Sequence, residues 1–305
     1  MQKRLSARDM PKGCTSIDHT TQDAYLDNAR KGLPSAGNHD STANAVSNLL
    51  NCAKAAGLTE MNIIGHGDTG IIITGTGLPP CEEGYQQCIR FDHPETWSRL
   101  ISQLKDSCKS LVLWACDTGA EDEGAKLLWE LANTTGTSVS APTGLICCKN
   151  GVFSLIEQEA TWQIAKPGPH PPATIHLPPR PLPSGPPQVI RALRFIDPEI
   201  PSVSFDEVLE IDYLPAGGPD RIFHLRPTQR TEFLQHIDFE HPFETDCSIG
   251  AIRTGGILMR LREPLGDHRF SILNDRLLQN DQNQRAFYFA FDGFRQFLQS
   301  LRSEE

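Results

Sequence analysis

Two short runs constrain the fold of this chain more than anything else in it: Asn62-Ile63-Ile64-Gly65-His66-Gly67 and Leu111-Val112-Leu113-Trp114-Ala115-Cys116. In each, consecutive residues are apolar rather than alternate ones. A strand apolar on both faces has to be covered on both, as in a parallel sheet with helices packed against it. Each run then ends on one reactive side chain, His66 in the first and Cys116 in the second. Parallel strands deliver their C-terminal ends to one edge of a sheet, where ligands bind. Two neighbouring strands ending this way bring an imidazole beside a thiol, the pairing that makes cysteine nucleophilic. Gly65, Gly67 and Ala115 leave room there for a substrate backbone.

The surrounding pattern alternates helix and strand. Asp40-Ser41 is an N-cap pair, and Ala43, Val46, Leu49, Leu50 and Ala53 follow at helical spacing up to Gly57. Ile71-Ile72-Ile73-Thr74 reads as a short strand hairpinned onto the first run. Pro94-Glu95 opens a helix with Trp97, Leu100, Ile101 and Leu104 on one face. After Cys116, Glu121, Asp122 and Glu123 suit the positive end of a helix dipole, and Gly136 stops that helix. Three β runs follow at 137–141, 152–156 and 160–164. The expected class is α/β with a mostly parallel sheet, plus a C-terminal α+β domain.

Four segments are expected. Residues 1–40 read as an irregular N-terminal arm, with room for one short edge strand near Cys14 to Ile17. Residues 41–165 form the α/β domain. Residues 166–188 form a Pro-rich linker, with ten prolines between Pro167 and Pro187 inclusive, a density that favours polyproline II. Arg180, Pro183 and Pro186 there fit RxxPxxP spacing, though a stiff spacer is the simpler reading. Residues 189–305 form the accessory domain, with strands near 208–211, 221–225 and 256–261. Phe291, Phe294, Phe297, Leu298 and Leu301 make an apolar helical stripe at its end. His224, His236, His241 and His268 are scattered and read as surface or hydrogen-bonded residues.

A formal net charge of -10 excludes nucleic acid as a primary partner, because phosphate binding needs basic surface. No apolar run is long enough to span a bilayer, and the basic N-terminus lacks the apolar core of a signal peptide. A cytoplasmic protein is expected. Nine cysteines, an odd count without a secretory signal, suggest mostly reduced thiols, with Cys147-Cys148 serving packing. Neither a metal site nor a cofactor is implied.

The order strand–His-Gly, helix, strand–Ala-Cys resembles clan CD cysteine peptidases, the caspase–gingipain–legumain group. The 137–141 run resembles the strand after the catalytic cysteine, and Ala160-Thr161-Trp162 the closing Trp-bearing strand of bacterial members. The likeness covers roughly residues 41–165 and is nearest to bacterial caspase-like domains and self-cleaving toxin peptidase domains. It implies a caspase-like three-layer sandwich and a cysteine endopeptidase acting on a protein or peptide, including this chain or a partner. Cys116 would be the nucleophile and His66 the group that protonates the leaving amine. The backbone N–H groups of Gly67 and Cys116 would hold the oxyanion. A non-catalytic caspase-like scaffold is the alternative, and a protein partner is assigned to the C-terminal domain in either case.

Asp68-Thr69-Gly70 and Asp117-Thr118-Gly119 are both D-T-G, the aspartic-peptidase signature. They lie only 49 positions apart (117 minus 68), too close for two lobes. Both aspartates read instead as turn or cap residues near the His and Cys, with a second role open to them as carboxylates of a substrate pocket that would favour Arg or Lys by charge pairing.

Overall fold

The computed structural model describes residues 8–21, 23–75, 87–178, 208–215, 222–237, 247–261, 267–274, 277–280, 286–288, 297 and 300–301. The chain divides into two compact units, residues 1–178 with 246–252 and residues 179–245 with 253–305.

The first unit runs β1 (Arg8–Asp9), β2 (Cys14–Asp18), α1 (Ala24–Gly32), β3 (Gly37–His39), α2 (Thr42–Ala56) and β4 (Thr59–Ile64). It continues with β5 (Gly67–Asp68), β6 (Ile71–Ile73), β7 (Cys88–Arg90), α3 (Pro94–Ile101), β8 (Cys108–Trp114) and α4 (Glu121–Thr135). Then come β9 (Ser138–Pro142), β10 (Ile146–Lys149), β11 (Val152–Leu155) and β12 (Trp162–Ala165). The second unit contributes β13 (Val208–Pro215), β14 (Phe223–His224) and α5 (Pro227–Gln235) before the chain re-enters the first as β15 (Ser248–Ile249). It ends with β16 (Arg253–Leu261), β17 (Asp267–Leu273), β18 (Leu277–Asn280) and β19 (Ala286–Tyr288).

The first unit is built on a six-stranded sheet in the order β12-β9-β8-β4-β2-β3. All neighbours are parallel except β12, which runs antiparallel to β9. Because strand side chains alternate, the two central strands serve two cores at once. Met61, Ile63, Leu111 and Leu113 pack with Val46 and Leu49 of α2, Trp97 and Ile101 of α3, and Leu128 and Leu131 of α4. Trp114 belongs to the opposite face, where its ring lies 4.8 Å from that of Phe153 and its carbonyl accepts from the Tyr25 hydroxyl at 2.9 Å. That face is covered by α1 and an antiparallel sheet in the order β1-β11-β10-β15. β5, β6 and β7 make a third, small antiparallel sheet.

The helices end where local chemistry says they should. Ser41 caps α2, its hydroxyl accepting from the Asn44 N–H at 3.3 Å, and Gly136 ends α4 in the left-handed region at φ 70°. Residues 8–39, expected as an irregular arm, instead supply β1, β2, α1 and β3. β2 lies inside the sheet, between β4 and β3. The strand near Cys14 to Ile17 is thus present but is not an edge, a place its polar residues hide in the sequence, since Ser16 is fully buried and satisfied by the Nδ1 of His39 at 2.8 Å.

Cysteine usage also departs from expectation: Cys14 is bonded to Cys52 and Cys147 to Cys247. Cys147-Cys148 is therefore not a packing pair alone. The first half of the expected linker, residues 167–178, lies against α4 rather than free of it. Trp129 Nε1 donates to the Gly168 carbonyl at 2.8 Å, Glu121 N–H to that of Ile175 at 2.9 Å, and Leu177 N–H to Glu121 Oε1 at 2.7 Å. Arg180, Pro183 and Pro186 lie outside the described residues.

The second unit is an antiparallel sheet in the order β14-β13-β16-β17-β18-β19. Tyr213, Ile257, Met259, Phe270 and Ile272 pack with Phe233 of α5 and with Phe297 and Leu301. Phe291, Phe294 and Leu298 of the terminal stripe fall outside the described residues. Among the described residues no helix is long and apolar enough to cross a membrane.

Candidate active site

β4 and β8 pair side by side, Ile64 opposite Trp114, so the chain leaves both at one sheet edge. The residues that follow are Gly65-His66-Gly67 and Ala115-Cys116. The turns are tight. A Cβ on residue 65 would meet the Ile73 carbonyl oxygen at 2.2 Å, and one on residue 67 the Thr118 hydroxyl at 2.4 Å. Past Cys116 the backbone turns sharply through Asp117, a non-glycine residue at φ 58°.

His66 is held from both nitrogens. Its Nε2 lies 2.5 Å from Asp23 Oδ2, and its Nδ1 3.0 Å from the Ala251 carbonyl oxygen. Asp23 is the N-cap of α1: its Oδ1 accepts from the N–H groups of Tyr25 at 2.8 Å and Leu26 at 3.0 Å. Burial on its own would favour neutral His66, but the hydrogen bond and charge of Asp23 outweigh it, with Asp18 and the Ala251 carbonyl adding to them. The net shift of the imidazole is upward. Burial would likewise raise Asp23, yet His66 and the two capping N–H groups leave it below its ordinary value. Two acceptors on two ring nitrogens match an imidazolium, which donates from both.

Cys116 is fully buried. Its sulfur accepts from the Ile146 N–H at 3.2 Å and donates to the Ile146 carbonyl at 3.4 Å. The backbone N–H groups of Gly67 and Cys116 converge on one oxygen, the carbonyl of Gly250, at 3.1 and 3.4 Å. Gly250 N–H in turn donates to the Ile146 carbonyl at 3.0 Å. Gly250 directly follows β15, which is paired antiparallel to β10 with Cys147 opposite Ile249 and Cys148 opposite Ser248. Burial pushes the neighbouring Cys148 thiol up to about 12, which keeps it protonated and unreactive.

What stands against the α-carbon of Gly250 is Tyr25. A Cβ on residue 250 would meet its ring at 2.4, 2.7 and 2.8 Å. The Tyr25 ring cannot retreat cheaply, being 1% exposed, hydrogen-bonded to Trp114 and 5.9 Å edge-on from Phe153. The two aspartates are held by local structure, as the turn reading expects. Asp68 Oδ1 accepts from the adjacent Thr69 N–H at 2.8 Å. Asp117 is fully buried, and its N–H donates to the Gly144 carbonyl at 3.0 Å.

The geometry thus gathers His66, Cys116 and Gly67 at one place and adds Asp23, Tyr25, Ile146 and Gly250, which the sequence reading missed. Residues 35–151 match the family model DUF4347, a domain of unknown function. The match takes in His66, Cys116 and Ile146, and excludes Asp23, Tyr25 and the segment around Gly250. No curated protein and no solved structure matches the chain. Among the described residues no group of three or more His, Cys, Asp or Glu side chains is arranged to hold a metal ion.

Proposed function

We propose that the first unit is a cysteine peptidase of caspase-like fold, with Cys116 as nucleophile, His66 as proton donor and Asp23 as the residue that orients and charges His66. The observation that carries this reading is the convergence of the Gly67 and Cys116 N–H groups on a single carbonyl oxygen beside a thiol. Two backbone donors aimed at one oxygen form an oxyanion hole, which stabilises the negative charge of a tetrahedral intermediate. Next to it, a histidine bonded to a carboxylate repeats the division of labour of catalytic triads.

In the first half-reaction the Cys116 sulfur, as thiolate, attacks the substrate carbonyl carbon, whose oxygen becomes the oxyanion held by Gly67 and Cys116. His66, charged through Asp23, gives a proton to the departing amine. Water then gives a proton back to His66 as it attacks the thioester, releasing the acid and restoring the thiolate. The substrates are proteins or peptides in extended conformation, since the segment that leads into the two converging N–H groups pairs with β10 as a strand. The second unit is assigned no part in this chemistry.

The cytoplasmic location expected from the sequence stands against the two disulfides, which persist in oxidising compartments. Alkylation of the protein in denaturant settles the bridges: Cys14, Cys52, Cys147 and Cys247 should resist it until reductant is added.

Cys116→Ala should lower peptide hydrolysis by roughly 10³-fold or more, with circular dichroism unchanged. An alkylating active-site probe should label Cys116 in the wild type. Equal turnover by the variant removes the peptidase reading and leaves a non-catalytic scaffold.

A further inference from the structure

The oxygen in the proposed oxyanion hole belongs to this chain. Gly250 is bound on every backbone group that a substrate residue at the cleavage point would present. Its carbonyl accepts from Gly67 and Cys116, and its N–H donates to Ile146, the residue whose own N–H holds the Cys116 sulfur. Residues on either side continue the same seating. Upstream, Ser248 and Ile249 pair with β10, and Ser248 Oγ accepts from Asn28 Nδ2 at 3.2 Å. Downstream, Ala251 bridges Gly67 in parallel register, and its carbonyl accepts from His66 Nδ1. Ile249, Ala251 and Ile252 are 7%, 3% and 4% exposed, so the segment fills the cleft rather than crossing its mouth.

Resting on the peptidase reading, we infer that the chain is its own substrate, cut between Gly250 and Ala251, and that Tyr25 restricts the residue before the cut to glycine. The peptide bond follows the carbonyl in the oxyanion hole and precedes the residue whose carbonyl His66 holds. The Cys116 sulfur, as thiolate, attacks the Gly250 carbonyl carbon and breaks the bond to the Ala251 nitrogen, which leaves as an amine with a proton from charged His66. Hydrolysis of the Gly250 thioester consumes one water, whose proton returns to His66 as its hydroxyl joins the acyl carbon and the thiolate leaves. The specificity follows from the space left. Any Cβ at residue 250 runs into a buried ring, so a basic, acidic or even methyl side chain is excluded where hydrogen fits.

The test uses the full chain, freshly purified, beside Cys116→Ala and Gly250→Val. Products are separated in denaturant, because β16 downstream of the cut pairs with β13 upstream of it and would hold the pieces together in native buffer. The wild type should yield a fragment whose N-terminus is Ala251, and both variants should remain whole. Added peptides ending Ser-Ile-Gly before a reporter should be hydrolysed faster than Ser-Ile-Ala peptides by roughly tenfold or more. This second measurement stands even if Gly250→Val fails to fold. A wild type that cleaves added peptides through Cys116 but keeps its own chain whole, or cuts it elsewhere, overturns the inference and spares the peptidase. Arg or Asp peptides cleaved as fast as Gly peptides overturn the role of Tyr25. A chain inert toward itself and every peptide removes both readings.

Discussion

Asp23 serves two structures with two oxygens, capping α1 through Oδ1 and charging His66 through Oδ2. The pair sets a pH window. The raised His66 contributes stability that is complete below its unfolded value near 6.5 and is lost as pH rises through the folded value. The lowered Asp23 contributes stability present above its unfolded value near 3.8 and lost as pH falls through the folded one. Between those limits both are charged, and His66 holds the proton that the leaving amine needs. Asp23→Asn keeps the cap and removes the charge, so the alkaline limb of kcat/KM should move to lower pH, with a rate loss of roughly 10²–10⁴-fold. An alkaline limb that stays in place would leave Asp23 as a helix cap and no more. His66 and Cys116 were legible because each ends an apolar strand, a local signal. Asp23 was not, since its partner lies 43 positions away and its neighbours advertise only a cap. Gly250 was less legible still, because nothing in Ser248-Ile249-Gly250-Ala251 distinguishes a seated segment from an ordinary turn.

The elements that could be read from the sequence were those with a period of their own. α2, α3 and α4 each bury one stripe, and their spacing of apolar residues survives every detail of packing. β4 and β8 were legible for the opposite reason, being apolar on both faces. β2 was legible only as a short edge strand near Cys14 to Ile17 and β3 not at all, because polar residues stand among those they bury. Ser16 and His39 meet at 2.8 Å, and the histidine is fully enclosed. Burial first, then the charge of His19, push His39 down to about 3 against the opposing pull of Asp40, with Arg30 adding least. A histidine whose folded value lies below its unfolded one stabilises the protein above pH 6.5 and costs stability as pH falls toward 3. The slope approaches 1.4 kcal/mol per pH unit, roughly, well below 6.5. Urea midpoints measured from pH 7 to pH 5 should therefore fall, and His39→Asn should flatten that fall whatever it does to stability at neutral pH. A variant with the same slope as the wild type would mean that His39 binds its proton alike in the folded and unfolded states over this range. β10 and β15 escaped notice because they are four and two residues long and meet across 100 positions of sequence.

At the scale of the whole molecule, that long-range meeting has a covalent fastening. The Cys147–Cys247 disulfide ties the start of the seated segment to the strand it pairs with, three residues before the proposed cut. Cleavage after Gly250 would free Ala251 and leave Cys247 to Gly250 attached to β10 on a tether. A ligand held by so short a connection faces its site at an effective concentration on the order of millimolar, far above any peptide added in an assay. The processed, oxidised protein should therefore be a weak peptidase toward added substrate, inhibited by its own product. Removing the bridge with Cys147→Ser and Cys247→Ser together leaves Cys116 untouched and exchanges the short covalent tether for the 100 positions of polypeptide between residues 147 and 247, so the product strand faces the cleft at a lower effective concentration while staying on the same fragment. Assayed without reductant after full self-cleavage, the double variant should hydrolyse a Ser-Ile-Gly peptide roughly tenfold or more faster than the wild type, through a lower apparent KM. Reductant should raise the wild type toward the variant and leave the variant nearly unchanged. Equal KM in the oxidised wild type and the double variant would show that the product strand leaves without help, and that the bridge only stabilises the fold.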